Sequence, residues 1–222
     1  ACYLTNKNAT IVMPEDSPNA KLNGTKSWGA NIVTFDRYSE SREEIGTNLA
    51  KEINAEIIPP FDHPDVINGQ GTVGYEIIKD CKNNNLVPDL VLCCCGGGGL
   101  IAGVSTAIKS QYPNVPIYAV EPEDYNDTYL SLRDNKITEV DVSKKSICDS
   151  LLASKPGELT FSINKENLSG SLLVSDLEAM KAMKYAFKYF KIILEPGGAV
   201  ALASALFKKI DIKNKTVVII AS

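Results

Sequence analysis

The run Leu90-Val91-Leu92-Cys93-Cys94-Cys95 is apolar throughout, meets four glycines, Gly96 to Gly99, and gives way to a helical pattern over residues 100–112. A strand without polar alternation cannot turn one face to water. It belongs in a parallel sheet covered by helices on both sides. The other apolar segments keep the same rhythm. Strands are expected at 10–13, 31–35, 57–58, 90–95, 117–120, 172–174 and 217–221. Helices are expected at 18–28, 39–54, 71–81, 100–112, 176–191 and 199–209. Ser17 has the character of an N-cap, with Pro18 in the first helical position and Gly29 as the stop. The stretch 124–167 is polar and less regular. The pattern predicts an α/β protein built on open parallel or mixed sheets.

At 222 residues the chain suffices for one domain and part of another. The proline-rich segment 59–64 separates two βα systems, so a smaller domain is expected at 1–60 and a larger one at 61–222. A composition of 44% hydrophobic and 23% charged residues is that of a globular protein, not of a disordered or fibrous one. No apolar run approaches the length of a membrane span. A net charge of -4 argues against a broad nucleic-acid footprint. Both ends read as cut. Ala1 follows no initiator Met, and the apolar run 216–222 stops without a polar tail. The chain is expected to be an internal piece of a longer protein.

Cysteine chemistry is constrained by spacing. Cys93, Cys94 and Cys95 alternate across a strand and cannot close a metal site by themselves. No CxxC pair occurs, and His63 is the one histidine, so zinc has few ligands. Reduced, buried thiols of a cytoplasmic protein are the simple reading. Glycines between a strand and a helix leave backbone N–H groups unobstructed at a helix N-terminus, which makes a phosphate cradle. Gly97-x-Gly99-x-x-Ala102 also fits the dinucleotide pattern, and Glu121 stands where a ribose-binding acid belongs, so a Rossmann-type oxidoreductase is a rival. The P-loop reading fails for want of a following Lys-Ser/Thr. Glu121, Glu123, Asp124 and Asp127 crowd one post-strand loop, either as oxygen ligands for Mg²⁺ or Ca²⁺ or as a solvated acidic turn. Glu195-Pro196-Gly197-Gly198-Ala199 puts an acid in a tight turn before an Ala-rich helix, which suits a ligand or plain helix packing. His63 is more simply a structural or surface residue than a base.

Taken in order, these features closely resemble the threonine/serine dehydratase and serine racemase family of pyridoxal-phosphate enzymes, over essentially the whole chain. Ile11-Val12-Met13-Pro14 and Pro18-x-x-Lys21 resemble that family's small domain. Its large domain is matched by Pro60-Phe61-Asp62, Gly69-Gln70-Gly71-Thr72, Gly96 through Gly103, Glu121-Pro122, Pro156-Gly157-Glu158-Leu159-Thr160-Phe161 and Glu195 through Ala199. The resemblance implies the tryptophan-synthase-β-like fold of type II pyridoxal-phosphate enzymes, with the cofactor between two domains. It implies that Gly96, Gly97, Gly98, Gly99 and Leu100 bind the cofactor phosphate, that Glu195 lies near the ring, and that Ser222 meets the pyridine nitrogen. It implies a divalent cation, Mg²⁺ or Ca²⁺, on Glu121, the Tyr125 carbonyl and Asp127.

The activity implied is deamination of L-threonine or L-serine to 2-oxobutanoate or pyruvate and ammonia, with serine racemization as the alternative. The implied setting is a cytoplasmic homo-oligomer acting on a small amino acid, without nucleic-acid or membrane partners. The family's Schiff-base lysine, in Ser-x-Lys, and its Ser-x-Gly-Asn-His loop have no match here and are expected upstream of Ala1. No catalytic residue is therefore named, and the chain by itself is expected to be inactive. The cysteine run stands where the family has aliphatic residues, and Asn126 where some members carry a second acid.

Overall fold

A computed structural model describes residues 1–222 and divides them into two units, Ala1–Ile58 and Pro59–Ser222. The first unit is a β-α-β-α sequence: β1 (Thr10–Pro14), α1 (Asn19–Ser27), β2 (Asn31–Phe35) and α2 (Arg42–Glu52). The two strands are parallel, with Thr10 opposite Asn31 and Pro14 opposite Phe35. Ser41 caps α2 by accepting from the Glu44 N–H. Burial in this unit is confined to Phe35. Two expectations fail here. Ser17 is not a cap, since α1 starts one residue later, behind Pro18, without a side-chain cap. Residues 57–58 form no strand, and Ile57 and Ile58 are exposed. Neither edge of the β1–β2 ladder takes them up, and Pro59-Pro60 has no N–H with which to continue pairing.

The second unit holds a four-stranded, all-parallel sheet. Its strands are β3 (Leu90–Cys94), β4 (Ile117–Pro122), β5 (Gly170–Val174) and β6 (Val217–Ile220), in the order β5-β4-β3-β6. Every residue of β3 is buried. Leu90, Leu92 and Cys94 enter one apolar cluster, while Val91, Cys93 and Cys95 enter the other. Helices α7 (Asp176–Tyr185) and α8 (Pro196–Leu206) supply the first cluster. Helices α3 (Pro64–Asn83) and α4 (Gly99–Gln111) supply the second. All six cysteines are free. No helix is long and apolar enough to cross a membrane.

The helix expectations need four corrections. Helix α3 begins at Pro64, with His63 as N-cap, and runs through Gly69, Gly71 and Gly74 unbroken. The middle stretch is not irregular, since it carries α5 (Asp127–Asp134), a 3₁₀ turn at Asp149–Leu151 and α6 (Glu158–Asn167). Helix α7, held by a Ser175–Glu178 capping box, ends at Tyr185, where a π-helical turn, Ala186–Phe190, takes over. Helix α8 starts at Pro196, three residues early, with Glu195 as its N-cap.

Close approach of α3 and α4 explains Gly71 and Gly74 of α3, though not Gly69. A Cβ on Gly74 would stand 2.8 Å from both the Ala107 Cβ and the Val104 carbonyl, whereas one on Gly69 would meet nothing within 4 Å. Gly74→Ala is therefore expected to destabilise by about 1–3 kcal/mol through overpacking. Gly69→Ala, in the same helix, should stabilise by about 0.5–1 kcal/mol through helix propensity. Denaturant unfolding of the two variants checks the opposite signs.

Candidate functional site

The chain leaves β3 for β4 and β5 on one side and returns on the other side of β3 with β6. That reversal is a topological switch point, and open α/β sheets bind ligands outside the C-terminal strand ends there. Three of the expected groups come together at this edge. The glycine loop follows β3. Ser222 lies two residues beyond Ile220, which pairs with Cys93. Glu195 opens α8, and Gly198 of that helix packs so closely on the Ser222 carbonyl that a Cβ would overlap it. Hydrogen bonding from Cys93, and in smaller measure from Ser222, holds the Cys94 thiol below its usual range, against burial and the charge of Glu195. Glu195 and Ser222 are both exposed.

In the loop, the N–H groups of Gly96, Gly97, Gly98 and Gly99 donate to no other group of the chain. Gly98 sits at φ 92 as the N-cap of α4, a left-handed backbone that turns successive amides toward one side. Leu100 is half-buried and packs against both apolar clusters, so its backbone N–H is what it offers the site. Free amides at the start of a buried helix suit a phosphate, and the Ser222 hydroxyl and Glu195 carboxylate at the same edge suit the polar ring of pyridoxal phosphate. The residues present fit that cofactor.

The rear of the loop is held by residues to which the sequence assigned no role. Thr160 Oγ1 donates to the Gly97 carbonyl at 2.8 Å, and Asn164 Nδ2 to the Gly98 carbonyl at 3.3 Å. Asp62, distant in sequence, accepts from the N–H groups of Glu158 and Thr160 at 3.1 and 3.0 Å and so caps α6. Phe61 covers Gly97 and Gly99. The only sequence signal for Phe61, Asp62 and Thr160 lay in the Pro-Phe-Asp and Pro-Gly-Glu-Leu-Thr-Phe matches, and Asn164 had none.

The acidic loop splits in two. Asp124 pairs with Lys144 at 2.6 Å and Glu123 lies 4.0 Å from Lys209; both acids are at the surface. Glu121 and Asp127 have no exposed surface at all. Glu121 accepts from the Thr128 and Tyr129 N–H groups, both at 2.8 Å, and from Ser171 Oγ, so it caps α5. Both Asp127 carboxylate oxygens lack a hydrogen-bond partner. The Tyr125 hydroxyl is anchored on the Val142 and Lys144 carbonyls. Cys95 Sγ stands 3.4 Å from Thr128 Oγ1, so this pocket adjoins the start of the glycine loop.

Burial pushes Glu121 up to about 7, against the hydrogen bonds from Ser171, Thr128 and Tyr129. Burial and then the charge of Glu121 push Asp127 up to about 9. An orphaned buried carboxylate beside a second one lacks a counter-charge, which a proton or a hard cation can supply. The same burial overturns the dinucleotide reading, because a fully hydrogen-bonded, buried Glu121 cannot reach ribose hydroxyls at the surface.

These shifts fix a pH dependence. Both folded-state values lie above the ordinary 4.5 and 3.8, so the stability contributed by the protonated pair is complete below about pH 4 and is lost as pH rises through 7 to 9. In chelator-treated protein, the unfolding temperature should fall from pH 5 to pH 9, and Asp127→Asn should remove most of that fall. Thermal unfolding at pH 5, 7 and 9 measures both.

Comparisons with known proteins fix the family and the fold. The profile of the family described as "Pyridoxal-phosphate dependent enzyme" matches residues 1–222. The chain is 41% identical over 219 residues to L-threo-3-hydroxyaspartate ammonia-lyase of Saccharomyces cerevisiae, covering 99% of this chain and 66% of that protein. It is 38% identical over 214 residues to serine racemase of Schizosaccharomyces pombe, covering 96% and 65%. It superposes on the crystal structure of a T.th. threonine deaminase with a TM-score of 0.88 and 34% identity, covering 98% of this chain and 69% of that one. The chain thus spans about two thirds of the length of these relatives. With its parallel sheets and its glycine loop at the switch point, it belongs to the family of pyridoxal-phosphate dependent enzymes.

Proposed function

We propose that the whole protein deaminates β-hydroxy-α-amino acids, L-threonine or L-serine, to 2-oxobutanoate or pyruvate and ammonia by loss and return of one water. The observation that carries this reading is the glycine loop at the switch point, with free amides in front and Ser222 and Glu195 at the same sheet edge. When bound, pyridoxal phosphate supplies an electron sink for an amino acid joined to it, which eases departure of the α-proton and then of the β-hydroxyl. The chain's own residues do the holding. Amides of Gly96 to Gly99 and Leu100 bind the phosphate at the N-terminus of α4. The Ser222 hydroxyl faces the pyridine nitrogen. Being neutral, it holds no full proton there, which moderates the sink and suits elimination. Glu195 flanks the ring. The lysine that would hold the cofactor, and the loop that would hold the substrate carboxylate, have no counterpart among residues 1–222.

Racemization of serine is the second reading. The buried Glu121–Asp127 pair favours it, since a cation there matches serine racemase-like members. The names of relatives add L-threo-3-hydroxyaspartate as a third β-hydroxy substrate. Oxo-acid release from L-threonine, L-serine and L-threo-3-hydroxyaspartate, measured beside D-serine formation with the full protein, decides among these. Release from none of the three, in protein that absorbs as a pyridoxal-phosphate enzyme, would overturn the lyase reading.

The cation is tested separately. A divalent ion on Glu121, Asp127 and the Tyr125 carbonyl should raise the unfolding temperature by mass action. At pH 8, millimolar Mg²⁺, Ca²⁺ or Mn²⁺ is expected to stabilise the wild type by several degrees and Asp127→Asn by none. If no ion moves the wild-type transition, the pair holds no cation.

A further inference from the structure

The inference that follows rests on reading the glycine loop as the phosphate site, and it concerns what aims the loop. In a trans peptide the C=O and the following N–H point in opposite directions. A group that pins the carbonyl therefore also aims the next amide. The Gly97 carbonyl is pinned by Thr160 Oγ1 at 2.8 Å, with the Gly157 N–H 3.4 Å away. The Gly98 carbonyl is pinned twice, by Asn164 Nδ2 at 3.3 Å and by the Ala102 N–H at 3.0 Å, the first turn of α4. Two successive peptide planes are fixed this way, with the N–H groups of Gly98 and Gly99 turned away from α6.

The side chains that do the pinning are themselves immobilised. Thr160 and Asn164 are four residues apart, one turn along a single face of α6. They are 0% and 1% exposed. Helix α6 has no cap from its own flanking residues. Its first turn is tied instead to the Asp62 carboxylate through the N–H groups of Glu158 and Thr160. Gly157 admits this contact, since a Cβ there would run into the Asp62 carboxylate. The amide of Asn164 is retained at a cost, because its Oδ1 is buried without a partner. An apolar side chain would avoid that cost and lose only the hydrogen bond to Gly98.

We propose that Thr160 and Asn164, braced by Asp62, are positioning residues for a phosphate monoester. They touch no cofactor atom and act by aiming the Gly98 and Gly99 amides. The consequence is selective. A loop whose amides are misaimed loses affinity for the phosphate and leaves contacts with the ring unchanged. Discrimination between pyridoxal phosphate and pyridoxal therefore measures the clamp, whereas general loosening of the unit would weaken both ligands together.

The test uses the full protein, freed of cofactor and titrated separately with pyridoxal phosphate and with pyridoxal, with binding followed by absorbance. Thr160→Val keeps the shape and removes the donor. It should raise the Kd for pyridoxal phosphate at least about fivefold and leave that for pyridoxal within about twofold. Thr160→Ser, which restores the hydroxyl, should return the ratio to that of the wild type. Asn164→Ala should show the same one-sided loss and serves independently if Thr160→Val does not fold. Equal weakening of both ligands, or of neither, in the folded variants overturns the clamp while leaving the phosphate site in place. A wild type that binds pyridoxal as tightly as its phosphate overturns the phosphate reading, and the clamp with it.

Discussion

A strand buried on both faces can exist only inside a parallel sheet with helices above and below, and β3 is such a strand. Its odd residues feed one apolar cluster and its even residues the other, so it joins the two halves of the larger unit's core. Parallel pairing on each side then requires crossover connections, and a strand with neighbours on both sides sends its crossovers in opposite directions. The switch point at the end of β3 is the geometric result. In such sheets the segment after the switch-point strand is where ligands bind, and here that segment is the glycine loop. The position of the site is thus a consequence of core formation.

Two carboxylates extend this logic beyond the sheet. Helices α5 and α6 both lack a local side-chain cap. Each is closed by an acid from elsewhere: α5 by Glu121 at the end of β4, and α6 by Asp62, which precedes α3. A carboxylate accepting two helix-terminal amides is a charge-assisted cap, each bond contributing about 1.5–3 kcal/mol. Glu121 ties α5 to the end of β4, and Asp62 holds α6, whose Thr160 and Asn164 bond to the glycine loop. Glu121 also depends on its environment in a second way. Its charge is balanced by α5 amides and Ser171, whereas that of Asp127 beside it is not. Burial raises both carboxyls toward their protonated forms, and the charge of Glu121 raises Asp127 further.

These long-range caps show why the sequence was legible in some places and not in others. The strand at 31–35, the strand expected at 90–95 and found at Leu90–Cys94, and the alternation of Cys93, Cys94 and Cys95 depend on local patterns and could be read, whereas the roles of Ser222 and Glu195 came from the family resemblance alone. The stretch 124–167 looked irregular because its two helices carry no capping side chain at the N-cap position, α5 being closed by Glu121 and α6 by the distant Asp62. Helix α3 looked short because glycine spacing alone does not distinguish a breaker from a packing residue such as Gly71 or Gly74, which face α4. Residues 57–58 looked like a strand because two β-branched apolar residues cannot show whether a partner edge will take them up. Glu121 matched a ribose-binding acid by spacing. Only its burial and its hydrogen bonds to α5 place it inside the protein, facing Asp127. Thr160 and Asn164 gave no chemical signal, because their task is defined by carbonyls more than sixty residues away.

Four consecutive glycines would ordinarily make a floppy segment, and a floppy cradle binds weakly because ordering it costs entropy on each encounter. This loop is not free in that sense. A Cβ on Gly97 would enter the Phe61 ring, one on Gly98 would stand 2.7 Å from Asn164 Nδ2, and one on Gly99 would stand 2.8 Å from Phe61 Cβ. Gly96 faces the Leu151 backbone at 3.2 Å. The side-chain space the glycines give up is filled from behind, by Phe61, α6 and the Asp149–Leu151 turn. The glycine amides are left unused by the rest of the chain. The absence of side chains thus does two things at once: it brings the supporting residues into contact with the backbone, and it leaves the N–H groups without a side chain in front of them. Rigidity comes from the neighbours, and the ordering entropy is met by folding before any phosphate arrives.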